Sequence, residues 1–170
     1  MNSLTNRAHG FSLVEVVLAI GVIAFAIVAI LGVFPLGLNA GHSAQDETRA
    51  PQIAQEIFDA ISSQAPTQFN KVVLPLASPS PPPIDLSSST TQLNAPAAFL
   101  YADNNGQLSQ SSSGATYTVS VATNSSPNGF DPSYANQVTV RVVSPPLASP
   151  GATPTGNQTV RDYVRIISKY

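Results

Sequence analysis

His9-Gly10-Phe11-Ser12-Leu13-Val14-Glu15-Val16 opens onto an apolar run that lasts to Leu38, and Glu15 is the only charge between Phe11 and Gly41. At 1.5 Å per residue, about 20 helical residues cross the hydrocarbon of a bilayer, so Val16 to Leu38 is long enough to span. It is longer than the roughly 7–15 apolar residues of a secretory signal. A carboxylate in such a segment costs roughly 2.5–3.5 kcal/mol at a helix centre on insertion scales, and less near an end. A plain anchor gains nothing from that cost, so Glu15 asks for a partner. The preceding stretch, Met1 to Gly10, is short and polar, with Arg7 as its only side-chain cation besides titratable His9. That asymmetry favours the leader on the cytoplasmic side and the bulk of the chain outside.

Three readings compete for this segment. A cleaved secretory signal needs a small-x-small site after the apolar run; Ala24-Phe25-Ala26 lies inside the run, and Leu38-Asn39-Ala40 has a poor first residue. A simple single-pass anchor explains the length but neither Glu15 nor the Gly10-Phe11 step. The third reading explains both: GFSLVEV resembles the processing and assembly signal of type IV pilins and type II secretion pseudopilins, closest to minor members of that family. The resemblance covers about 35 residues. It implies cleavage by a prepilin peptidase between Gly10 and Phe11, N-methylation of Phe11, and a role for Glu15 in assembly. It also implies partnership with other pilin or pseudopilin subunits, with membrane lipid as the solvent before assembly. The chain would be a single-pass protein of the bacterial inner membrane with its C-terminal domain in the periplasm, and later part of a periplasmic or extracellular fibre. Ser12 and Val14 replace the Thr and Leu or Ile common in the family. Gly32 and Pro35 mark the expected helix kink, Pro35 a few residues later than the family's proline. Bending or local melting is expected there, because proline removes one backbone bond and clashes with the preceding turn.

Composition narrows the chemistry. The 170 residues carry 7 Lys plus Arg, 9 Asp plus Glu, no cysteine and two histidines, for a net charge of -2. No basic surface invites nucleic acid. Thiolate catalysis, disulfides and thiolate metal sites are excluded. His9 would leave with the leader and His42 sits at the membrane boundary, so a histidine triad or metal site has almost no material. No catalytic residue, cofactor or metal ligand is therefore assigned, and the chain reads as a structural subunit rather than an enzyme. Asp103 and Asn105 resemble the opening of a calcium loop, but the acidic residue needed downstream is missing, so they read as a turn.

Beyond the span, Ala50, Ile53, Ala54, Ile57, Phe58 and Ile61 recur at three- and four-residue steps, with Gln52, Gln55, Glu56 and Asp59 between them. This predicts an amphipathic continuation to about Ser63, interrupted near Pro35 and near Pro51; a separate two-helix hairpin is the alternative. Residues 65–97, with the run Pro75-Leu76-Ala77-Ser78-Pro79-Ser80-Pro81-Pro82-Pro83, read as a stiff loop or an exposed recognition loop. Strands follow at 98–102 and 107–109 around Asp103-Asn104-Asn105-Gly106, then around Val119, around Val140, and at Tyr163 to Ile167 with Val164 and Ile166 inward. The expected organisation is leader 1–10, transmembrane and assembly helix 11–40, amphipathic helix 41–64, loop 65–97 and antiparallel sheet 98–170. Together these make a pilin-like α+β fold. A membrane-tethered adhesin or ligand-binding domain is the alternative function.

Overall fold

A computed structural model describes residues 12–74, 81–87, 90–125, 129, 131 and 134–170, with the side chains of residues 35–40, 42 and 43 outside the description. The fold is α+β. A 56-residue helix, α1 (Leu13–Gln68), is followed by β1 (Ala98–Ala102), β2 (Leu108–Ser109), β3 (Tyr117–Asn124), β4 (Ala135–Ser144) and β5 (Thr159–Ser168). The chain divides into two units, Met1–Ala44 and Gln45–Tyr170. The described part of the first is apolar helix. The second holds the end of α1 and one antiparallel sheet of order β2-β1-β3-β4-β5.

The helix is unbroken through Gly32, Pro35 and Pro51, which corrects the expected interruptions. One missing N–H leaves the neighbouring turns paired, and a helix this long absorbs the loss. It also runs past Ser63 to Gln68. In the second unit Ala50, Ile53, Ala54, Ile57, Phe58 and Ile61 are buried, whereas Gln52, Gln55, Glu56 and Asp59 are exposed, as their spacing predicts. The buried stripe packs with Val119 and Val121 of β3 and Val138, Val140 and Val142 of β4 in one core. β-Branched side chains suit that pleated surface because their restricted rotamers cost little there.

β3 is buried on both faces except at its last residue. The backbone N–H of Leu147, in the connection after β4, donates to Thr118 Oγ1 at 2.6 Å and covers the face away from the helix. Residues 91–97 prolong the pairing beyond β1: Ala97 N–H donates to Val121 C=O and Thr91 N–H to Thr123 C=O, both at 2.8 Å. The β1–β2 turn forms as its Asn-Gly signal predicts, with Gly106 at φ 86°. Asp103 Oδ1 accepts from the backbone of Asn105 and Gln107 at 2.8 and 2.9 Å, so this carboxylate closes the turn. The stretch read as loop contributes more than a connection. Val72 and Ile84 exchange backbone bonds at 3.0 and 2.7 Å, and Val72, Leu74, Ile84 and Leu86 join the core. Pro75 to Ser80 lie outside the described residues.

The last strand overturns the expected facing. Val164 and Ile166 point outward, 57% and 51% exposed, while Arg161, Tyr163, Arg165 and Ile167 face the helix. Register dictates this. Arg161, Tyr163 and Arg165 lie opposite Val142, Val140 and Val138, and residues directly opposite in an antiparallel pair share a face. At this margin of the sheet the helix presents polar residues beside Phe58, which suits arginine. The Arg165 guanidinium lies 4.9 Å over the Phe58 ring and donates to Gln55 Oε1 at 3.0 Å and Asp59 Oδ1 at 3.3 Å. Arg161 approaches Glu47 at 3.7 Å. On the outer face Arg141 grips Asp162 through two bonds of 2.7 Å.

Neighbouring isoleucines test the facing. Ile167→Ala is expected to cost about 2–4 kcal/mol and Ile166→Ala about 0.5 kcal/mol or less, read from denaturant unfolding of the full chain. A larger loss at Ile166 would invert the assignment.

Candidate assembly surface: the apolar helix and its polar head

From Leu13 to Phe34 the helix has a mean hydropathy of 3.1 over its most apolar window, and none of that window is buried within the chain. It is long and apolar enough to cross a membrane. Nothing in the described residues covers Val14, Val17, Leu18, Ile20 or Phe25. Gly21 interrupts the apolar surface, with no atom within 4 Å of the place a Cβ would occupy.

The head of this helix has its own polar logic. Ser12 is the N-cap: its carbonyl accepts from Glu15 N–H at 3.0 Å and Val16 N–H at 3.2 Å, and its Oγ accepts from Glu15 N–H at 3.3 Å. A side-chain oxygen there satisfies a first-turn donor that has no partner within the helix. Glu15 therefore stands in the first turn, where the helix dipole favours negative charge. Its carboxylate is exposed and has no hydrogen-bond or ionic partner among the described residues. Gly10 and Phe11 lie outside the described residues, whereas Gly32 and Pro35 lie within the continuous helix. The structure thus brings Glu15 together with Ser12, a residue noted above only for standing where pilins often have Thr. Its signal was legible as Ser-x-x-Glu at 12–15, the pattern of a capping box.

Two other places gather functional side chains. An open groove of about 630 Å³ lies among Pro81, Pro82, Pro96, Phe99, Tyr101 and Pro150, with the two aromatic rings edge to face at 5.3 Å. Its lining carries no carboxylate, imidazole or amine. At the start of the second unit, burial and the adjacent Asp46 carboxylate push the Tyr117 phenol up to about 12, against the opposing effect of Arg49. Burial also raises Tyr163, with Arg161 opposing. Such phenols stay neutral near pH 7 and do not serve as bases there. Among the described residues, no three His, Cys, Asp or Glu side chains gather as metal ligands do.

Tyr117 makes stability depend on alkaline pH. Its folded pKa lies above the unfolded value near 10, so its contribution is complete below pH 10 and is lost as pH rises toward 12. Unfolding free energy is expected to fall by about 2–3 kcal/mol over that window through this group. Tyr117→Phe is expected to flatten the profile, measured by denaturant midpoints at stepped pH; an unaltered profile would remove Tyr117 from the account.

Comparison with protein-family models, with curated proteins and with solved structures returns no match to this chain.

Proposed function

We propose that this chain is a fibre subunit, a minor pilin or pseudopilin. It waits in the inner membrane through residues 11–40, with its sheet domain on the periplasmic side, and joins a type IV pilus or type II secretion pseudopilus through the same helix. One observation carries the reading: an exposed apolar helix holds in its first turn a single carboxylate with no partner among the described residues, and runs on without a break into the core helix of the sheet domain. A membrane tether needs the first feature only. Lateral packing of many copies uses all three, because the apolar surface finds protein neighbours and the carboxylate sets their axial register.

The chemistry of the head supports the same reading. Cleavage between Gly10 and Phe11 by a prepilin peptidase creates an α-amine four residues before Glu15. The cut leaves Phe11 one residue ahead of the Ser12 cap, so the helix start survives processing. A cationic amine, N-methylated or not, is the opposite charge that Glu15 lacks. Pairing between neighbouring subunits offsets the desolvation of both groups, and breaking such a buried pair typically costs about 3–5 kcal/mol. In this reading the chain is the substrate of a peptidase and performs no catalysis of its own. It needs no cofactor, and its partners are the peptidase, lipid and other subunits.

Mass spectrometry of the mature protein is expected to find N-methyl-Phe11 at its start; an intact Met1 or an N-terminus near Ala40 would sink the proposal. Glu15→Ala is expected to leave membrane insertion unchanged and to reduce incorporation into fibres at least tenfold. Normal incorporation would show that the charge pair does not set assembly.

A further inference from the structure

The sheet ends at β5, and among the described residues no strand pairs with its outer edge. Lys169 N–H donates to Tyr134 C=O at 2.8 Å just past the strand. Ladder bonds in an antiparallel pair recur at every second residue, so Arg161, Tyr163, Arg165 and Ile167 bond to β4. The N–H and C=O groups of Val160, Asp162, Val164 and Ile166 consequently point away from the sheet. Edges of this kind are commonly blunted by proline, a bulge, brevity or charged side chains; β5 relies on charge, through Arg161, Asp162 and Arg165, which disfavours a like-charged strand and admits one of opposite charge. β5 has no proline and keeps ten consecutive register pairs with β4, while the opposite edge strand β2 has only two residues. Val160, Val164 and Ile166 add exposed apolar side chains along the outer face.

Charge decides what fits. On the helix-facing side Arg161 and Arg165 stand four residues apart, and both are only partly served. Arg161 Nε is buried without a hydrogen-bond partner, its nearest carboxylate is 3.7 Å away on Glu47, and both Glu47 and Asp59 remain largely exposed. A second copy of β5 is a poor match. Centring an antiparallel pair on Tyr163 sets Arg161 against Arg165, centring on Arg165 sets it against itself, and centring on Asp162 opposes two carboxylates. Centring on Val164 sets Arg161 against Ile167 and Arg165 against Tyr163, so neither arginine meets a carboxylate.

We propose that the open edge of β5 takes a sixth strand from another protein. That strand is an extended segment with two carboxylates four residues apart on its helix-side face and apolar side chains on the other. Main-chain bonds give the affinity, while the two arginines and the apolar outer face select the sequence. The inference rests on the sheet domain alone, so it stands or falls independently of the assembly reading.

The test uses the full chain in lipid nanodiscs with the blocked peptide Val-Glu-Val-Thr-Thr-Glu-Val as probe, and its double Glu-to-Lys counterpart as control. Saturating probe is expected to slow amide exchange at Val160, Asp162, Val164 and Ile166 at least tenfold, with little change at Arg161 and Tyr163. Val164→Lys, at an exposed position, is expected to keep the unfolding midpoint and to weaken probe binding at least tenfold. Unchanged exchange, equal binding of the lysine peptide, or undiminished binding to Val164→Lys would overturn the proposal. So would protection of the same amides that grows with protein concentration in the absence of peptide, because the edge would then be pairing with its own copy.

Discussion

The sheet domain depends on one contact: the Ile53, Ile57 and Ile61 stripe of α1 against the valines of β3 and β4. With no cysteine in the chain, no disulfide assists it. Charge contributes little where it is seen: the pairs Arg141–Asp162, Arg161–Glu47 and Arg165–Asp59 lie on partly or largely exposed side chains, and such pairs are each worth about 0–1 kcal/mol. What holds the domain is therefore apolar area removed from water, at roughly 25 cal/mol per Å². This explains why a segment as polar in sequence as residues 65–97 still sends Val72, Leu74, Ile84 and Leu86 inward. A single helix covers one stripe of a five-stranded sheet, and the ends of that stripe need lids. Gln64 fastens one such lid, its side chain bonding both the N–H and the C=O of Val73.

The same helix explains the odd chemistry of β5. Its apolar stripe is only wide enough to serve the central strands, so β5 meets the flank where Glu47, Gln55 and Asp59 emerge. Isoleucine placed there would strip water from those groups without replacing its hydrogen bonds. Arginine lays its stem and guanidinium on Phe58 and satisfies the polar groups at once. The apolar side chains of the strand are then left on the outer face. Solvent exposure of Val164 and Ile166 is thus a consequence of how narrow one helix is.

Legibility in the sequence followed the strength of periodicity. The helix was readable because Ala50 to Ile61 keeps a helical period over three turns, and the Asn105-Gly106 turn because positive φ at Gly106 demands a special residue. β3 and β4 were readable because valines alternate with polar residues. β5 was misread because its two faces carry similar apolar weight, Val164 and Ile166 against Tyr163 and Ile167, and side-chain alternation alone does not say which face meets the helix. The deciding fact, a polar helix flank opposite the edge strand, is tertiary. Ser12 was missed for a different reason. Glu15 stands out as a charge in an apolar run, and its position three residues after a serine carries a weaker signal.

That position bears on how a first-turn carboxylate is to be understood. The capping role and the proposed assembly role look like rivals for Glu15, but they use different atoms. The cap engages the backbone N–H of Glu15 with Ser12 Oγ and C=O, and leaves the carboxylate oxygens unbonded among the described residues. The helix dipole favours negative charge at this end. The cap also fixes the first turn, so the carboxylate leaves the helix at a set angle rather than from a frayed end. In the proposed assembly, a cation arriving from a neighbour would find an oriented partner and give up less freedom on pairing. Local helix chemistry and the proposed intermolecular recognition are in this sense sequential: Ser12 builds the platform, and the proposal assigns the charge on it to another chain.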